Sequence, residues 1–445
     1  MKNFFIGGFL VLALASCSND ASQEDFQPDE PNPVPGRRTV LVYMAAQNSL
    51  GNAPYYHRND SVEIMNGRQF IDPKDRMLFF VDDDQAPRLY RVTRNASRPV
   101  LLKQWDTDFC STDPKQFESV LNFVKHTVPS AELGLVMSSH ADGWIPATDK
   151  DYGKYTEMGI QNKYDGLQTF SFGIDSGPDG RLSNQGANME INDLASSIEN
   201  AGLHCKFIFF DACLMQNLEV AYALRNVTDY VVAAPIATPA PGSYYTHNIE
   251  KGFFAQDPSL IAQTYLADVQ SPALSSSYYD YGLCISTIRT DRMEKLAMTL
   301  KEALPHSKLM EKTSPKMELT DEPSTNIRSV LNYQAFCSEY FYRPHNYDAL
   351  QALRCILPSE YYLKVKKALN EAITTYGSTE KFWIGPHYND FQQVPVQTGD
   401  YCGVSMFIPQ DVYTQIGQKK KYHDWNKEFQ NTEWYKATGF HVTGW

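Results

Sequence analysis

Short, continuously apolar runs recur along this chain, each breaking off into polar residues, and segments of helical period separate them. TVLVYMAA (39–46), RMLFFVDDD (76–84), LGLVMSSH (133–140), KFIFFD (206–211), YVVAAP (230–235) and YGLCISTIRT (281–290) are such runs. A run with no polar alternation suits a strand covered on both faces, as in a parallel sheet. Between them, DPKQFESVLNFVKHTVP (113–129) opens with Asp-Pro and spaces Phe117, Val120, Leu121 and Val124 as one face of a helix. INDLASSIENAG (191–202) reads as a short helix closed by glycine, and DPSLIAQTYLADVQ (257–270) as another. LMQNLEVAYALRNV places Leu214, Leu218, Ala221 and Leu224 at helical spacing. Strand and helix in alternation predict an α/β fold, with a mostly parallel sheet between helical layers. RVTRNASRPVLLKQW interrupts the pattern as a short antiparallel excursion.

The folded sequence begins at Arg38 and divides into an α/β core over 38–290 and a mainly helical region over 291–445. MEKLAMTLKEAL and YYLKVKKALNEAITTY supply the helices of the second part, and DYCGVSMFIPQ (400–410) is a late strand completing the domain. Residues 145–188 are rich in Gly, Asp and Tyr without a clear period, which reads as a long loop or insertion.

Before Arg38 the composition changes. MKNFFIGGFLVLALASC has an early lysine, an apolar stretch from Phe4 to Leu14 and small residues before Cys17, the pattern of a secretory signal over 1–16. Leu14-Ala15-Ser16-Cys17 resembles a bacterial lipobox, which makes Cys17 the lipidated residue; the alternative is an ordinary signal with an incidental cysteine. Residues 17–37 are acidic and Pro-rich, with too few apolar side chains to fold, and read as a tether.

The formal net charge is −12, from 40 Lys and Arg against 52 Asp and Glu, which excludes nucleic acid or an anionic membrane face as the main partner. Apart from Cys17 the cysteines are 110, 205, 213, 284, 337, 355 and 402, an odd number that leaves at least one thiol unpaired. No CxxC pair and no His/Cys cluster points to zinc. Asp82, Asp83, Asp84 and the turn DSGPDG (175–180) offer carboxylates but complete no calcium-loop pattern, so no metal or other cofactor is assigned.

Cys213 follows a buried strand at the carboxyl edge of the predicted sheet, where open α/β folds place ligands. A thiol at the start of the helix predicted from Leu214 would have its thiolate favoured by the helix dipole; the bland alternative is a small buried hydrophobe. A catalytic thiol needs a base on a different loop. His140 alone among the ten histidines directly ends a buried strand, whereas His126, His247 and His387 suit surface or packing roles. Asp211, at the end of the Cys213 strand, reads equally as a helix N-cap or as a pocket acid.

HADGW (140–144), the strand ending DACLM (211–215), the helix NLEVAYALR and the late CGVSMFIP segment together resemble the clostripain family of cysteine peptidases. The resemblance implies a caspase-like α/β/α sandwich and a cysteine endopeptidase using a Cys213/His140 dyad. It implies an oxyanion held by the backbone N–H groups of Cys213 and Ala141, and Asp211 in the pocket for the residue preceding the cut (P1). The implied partners are polypeptide substrates, with a single copy of the chain anchored by lipid in the bacterial cell envelope.

Three departures bear on that expectation. Ala141 stands where the family usually has glycine. AAPIATPAPGSYY (233–245) carries no acid where many relatives have one, which predicts a relaxed preference for basic P1 residues. The 145–188 insertion holds Lys150, Lys154, Lys163 and Arg181, basic sites of the kind at which relatives cut themselves on activation. The rival reading is a catalytically inactive peptidase scaffold that binds. A serine hydrolase or glycosidase lacks support, since there is no GxSxG elbow and no paired-carboxylate motif.

Overall fold

A computed structural model describes residues 35–145, 171–177, 186–274, 282–311, 330–333, 335–338, 341–383, 393–395, 401–411, 413–414 and 424–445. For 335–338, 341–344 and 393–395 it describes the backbone only. Cys17, the signal over 1–16, most of the tether, and Lys150, Lys154, Lys163 and Arg181 lie outside the described residues.

In chain order, the elements that frame the site are β1 (Gly36–Ala45), α1 (Tyr56–Gly67), β2 (Arg76–Asp82), β3 (Arg88–Val92), β4 (Val100–Gln104), α2 (Pro114–Thr127) and β5 (Ser130–Ser138). Then come β6 (Phe172–Asp175), β7 (Ala187–Met189), α3 (Ile191–Asn200), β8 (Cys205–Asp211), α4 (Leu218–Ala223) and β9 (Tyr230–Ala233). They continue with α5 (Tyr245–Lys251), α6 (Ser259–Val269), β10 (Cys284–Arg289), α7 (Met293–Ala303), α8 (Ala349–Ile356), α9 (Ser359–Ala372) and β11 (Ile373–Ser378).

The main sheet has nine strands in the order β11-β10-β9-β8-β5-β1-β2-β3-β4. The five central strands, β9 through β2, run parallel, and antiparallel strands flank them on both sides. Alternation along each central strand explains the continuously apolar runs. Leu41, Tyr43 and Ala45 of β1 join one core while Val40, Val42 and Met44 join the other; Ile208 and Phe210 part from Phe207 and Phe209 in the same way. Every side chain thus meets a helical layer, with α2, α3, α4 and α7 on one face and α1, α5 and α6 on the other. That is the predicted α/β/α sandwich. The Asp113 carboxylate caps α2 by accepting from the N–H groups of Lys115 and Gln116 at 2.9 and 3.0 Å, with Pro114 in the first turn.

Three local expectations change. The helix read from Leu214 onwards shrinks to α4, because Gln216 and Asn217 spend their polar groups fixing a turn. The period read as helix up to Tyr376 stops at Ala372, and Ile-Thr-Thr-Tyr becomes the edge strand β11 against β10. β-branched residues favour that outcome once a strand edge is available. The 400–410 run adds only Ser405–Met406, paired with Tyr347–Asp348 outside the main sheet. Within the predicted insertion, β6 and β7 form a two-stranded antiparallel pair.

Candidate active site

β5 and β8 are adjacent and parallel, with Ser138 opposite Asp211. The chain therefore delivers His140 and Cys213, each two residues past that matched pair, to one edge of the sheet. Both line a cavity of ≈ 140 Å³ together with Asp211, Tyr56, His57, Asp60, Trp383 and the Ala237–Gly242 loop.

The histidine loop is tied down from below. Asn48, fully buried after β1, has its Nδ2 at 2.8 Å from Ala45 O, 2.9 Å from Ile174 O and 3.3 Å from Ser139 Oγ. Gly173 N–H donates to His140 O at 2.8 Å, and Asp142 N–H donates to Ser171 O at 3.0 Å. Neither bond uses the Ala141 N–H, which makes no backbone bond among the described residues. Ala141 also lies outside the left-handed region, so alanine replaces glycine here without conformational cost. The position that does need glycine is Gly143, at φ 76°, where a Cβ would lie 2.6 Å from Asn217 Nδ2 and 2.9 Å from Leu214 O. His140 Nε2 shares a hydrogen bond of 2.9 Å with Ser49 Oγ.

The cysteine loop is sharply bent. Leu214 has φ 62°, a conformation a bulky side chain adopts only at a cost on the order of 1–3 kcal/mol. Leu214 N–H donates to Ile236 O at 2.9 Å and Asn217 Nδ2 donates to Leu214 O at 3.0 Å, which hold the bend. Gln216 Nε2 reaches Ser286 O and Oγ, both at 2.8 Å. α4 starts five residues beyond Cys213 with Asn217 as its cap, so the expected help from a helix N-terminus is absent. Burial instead pushes the Cys213 thiol up, and the nearby charges of Asp142 and Asp211 add to the effect. The partial offset comes from Thr238, whose N–H donates to the sulfur at 3.4 Å and whose hydroxyl lies 3.6 Å from it.

Asp211 ends β8 and caps no helix. Its carboxylate accepts from Ser243 N–H, at 3.1 Å to each oxygen, and from Tyr245 Oη at 2.9 Å. Burial raises it to about 6. The 233–245 loop holds no second acid, but α1 supplies one. Asp60, 6% exposed, lines the same cavity, and burial followed by the charges of Asp211 and Glu63 pushes its carboxyl well up. Glu63 accepts from Tyr245 N–H at 2.9 Å and is raised to about 8, chiefly by burial. The signal was the spacing: His57, Asp60 and Glu63 fall three apart, so a polar stripe runs along one side of α1.

Cys110, Cys205, Cys213, Cys284, Cys355 and Cys402 are all free thiols. Asp82 and Asp175 come together, but among the described residues no group of three or more His, Cys, Asp or Glu is arranged to hold a metal ion. Among those residues, no helix is long and apolar enough to cross a membrane.

Three solved structures share the fold. An inactive zymogen C11 protease from Parabacteroides distasonis is 23% identical, with a TM-score of 0.68 over 92% of this chain and 99% of that one. A secreted C11 cysteine protease from Bacteroides thetaiotaomicron, in complex with an irreversible peptide inhibitor, is 23% identical, with a TM-score of 0.68 over 91% of this chain and 99% of that one. A further structure of a secreted C11 cysteine protease from Bacteroides thetaiotaomicron is 20% identical, with the same TM-score over 91% of this chain and all of that one. No curated protein matches the sequence. The Clostripain family profile matches residues 42–171 and 179–441, and the chain belongs to that family of cysteine peptidases.

Proposed function

We propose that the chain is an exported, lipid-anchored cysteine endopeptidase that cuts after basic residues and tolerates neutral ones, with Cys213 as nucleophile and His140 as acid and base. The observation that carries this reading is the delivery of both side chains from matched strand ends into one cavity. His140 takes the thiol proton as Cys213 Sγ attacks the scissile carbonyl, and the N–H groups of Ala141 and Cys213 hold the developing oxyanion. As the C–N bond breaks, His140 gives a proton to the leaving amine, and a thioester remains. Water then attacks the thioester while His140 takes its proton, releasing the carboxylic acid and restoring the thiol.

Asp211 at the cavity is the reason to propose basic P1 residues, and the acid-free 237–242 loop is the reason to propose tolerance of neutral ones. The proposed anchor in the outer membrane of a bacterial envelope is supported by Cys17 and its lipobox-like context. A peptide-library profile of wild type against Cys213→Ser tests the peptidase reading. Cleavage lost in the variant supports it, and equal cleavage in both contradicts it.

One observation favours a second reading, a scaffold that binds peptides without cutting. Thr238 N–H donates to the thiol and His140 Nε2 shares a hydrogen bond with Ser49 Oγ, contacts that a binding site keeps as readily as a cutting one. Absence of cleavage for every library peptide would favour that reading.

A further inference from the structure

The cavity contains more acid than the loop sequence promised, and the surplus comes from an unexpected element. Asp60 lies on α1, far in sequence from the 233–245 loop and on the same side of the sheet as α5. The residue is 6% exposed and lines the cavity that Asp211 and Cys213 line. No hydrogen-bond donor among the described residues reaches its carboxylate, and burial and its acidic neighbours account for its shifted proton affinity. Asp211, by contrast, already has two donors, Ser243 N–H and Tyr245 Oη.

A buried carboxyl without a donor is costly to ionise, and a cationic or donating group in the cavity favours its ionised form. Glu63, His57 and Tyr245 surround it without doing so: Glu63 is bonded to Tyr245 N–H, His57 Nε2 to Asp83 at 3.0 Å, and Tyr245 Oη to Asp211. Trp383 adds an aromatic side chain to the cavity lining. Two carboxylates and an aromatic ring around a small cavity suit the planar, multiply donating guanidinium better than an ammonium point charge.

We propose that Asp60 is a specificity-determining residue that binds the P1 side chain directly, supplying from α1 the second carboxylate the loop lacks and favouring arginine. The inference deepens the peptidase reading and rests on it for the identity of the ligand. It also narrows the expected tolerance: neutral P1 residues are cut, but less well than the loop alone would allow.

The test uses the full chain as wild type, Asp60→Asn and Asp211→Asn, with matched fluorogenic peptides bearing arginine or norleucine at P1. The ratio of the two kcat/KM values within one preparation is independent of how much protein is correctly folded. Loss of one charge-assisted contact should lower the arginine-to-norleucine ratio in Asp60→Asn by about ten- to a hundredfold, with norleucine cleavage retained. An unchanged ratio overturns the assignment, even though the peptidase reading stands. If wild type cuts neither peptide, binding of agmatine by calorimetry reads the pocket without catalysis. Binding that Asp60→Asn loses keeps Asp60 in the pocket, whereas equal binding in both, or none in wild type, overturns it.

Discussion

Ser138 and Asp211 are register partners on adjacent parallel strands, and the proposed histidine and cysteine each stand two residues beyond them. The pair of loops that follows is locked as one unit, because Gly143 of the first packs against Leu214 O and Asn217 of the second. Placement of the proposed dyad is therefore a property of strand register and of one glycine, more than of the loops' own sequences.

Gly143→Ala should separate those loops. The added Cβ meets Asn217 Nδ2 at 2.6 Å and Leu214 O at 2.9 Å, in a backbone conformation that alanine resists. The strain should cost about 1–3 kcal/mol, read as a lower urea midpoint, and peptide cleavage should fall by at least about tenfold. Unchanged kcat/KM would show that the two loops need no fixed spacing.

Asn48→Ala tests the latch beneath His140. Its fully buried amide spans Ala45 O, Ile174 O and Ser139 Oγ, and truncation leaves acceptors without their donor. A loss of about 2–3 kcal/mol is expected, seen as a clear drop in Tm. A Tm within error of wild type would mean that water replaces the amide.

Much of this arrangement was legible from residues alone. Phe207 to Phe210 and Val40 to Met44 announce a sheet covered on both faces, and the paired strand ends single out His140 and Cys213. Asp60 was not legible, because what makes it a pocket residue is α1 crossing near the end of β8, a tertiary fact. The proposed thiolate stabilisation failed for a local reason. Asn217, not Asp211, caps the helix, so the helix begins too late to act on Cys213. β11 was hidden since Ile373 to Tyr376 continue the period of α9 and become a strand only beside β10.

Asp211 gives the protein a pH dependence of known sign. Burial holds its carboxyl at about 6, above the 3.8 of a solvated aspartate, so the folded chain binds this proton more tightly than the unfolded one. Its contribution to stability is complete below the unfolded value and is lost as pH rises through about 6. The ionised form is the one that attracts a cationic P1. The arginine-to-norleucine ratio should therefore climb across that same range; Asp211→Asn should remove this rise and leave only the dependence set by Asp60 and Glu63, whose carboxyls burial also pushes up. A flat wild-type profile would place the cation elsewhere.

Cys17→Ser tests the anchor separately from the chemistry. Wild type should partition into detergent with membranes through its acyl chains, and the variant should lose that partitioning while keeping its peptidase activity. A soluble mature wild-type chain lacking Cys17 would contradict the lipoprotein reading.

The central claim is that Cys213 is the nucleophile of a peptide-cutting site. The thiol rests protonated under Thr238, so general alkylation at neutral pH is a poor reporter. A peptide-based, thiol-directed irreversible probe with arginine at P1, followed by mapping of the labelled residue, tests the claim most directly. The account predicts a single adduct on Cys213, lost in His140→Ala and suppressed by unfolding. A label on half-buried Cys110 or Cys355, or labelling of Cys213 no faster in the native chain than in the unfolded one, would contradict it.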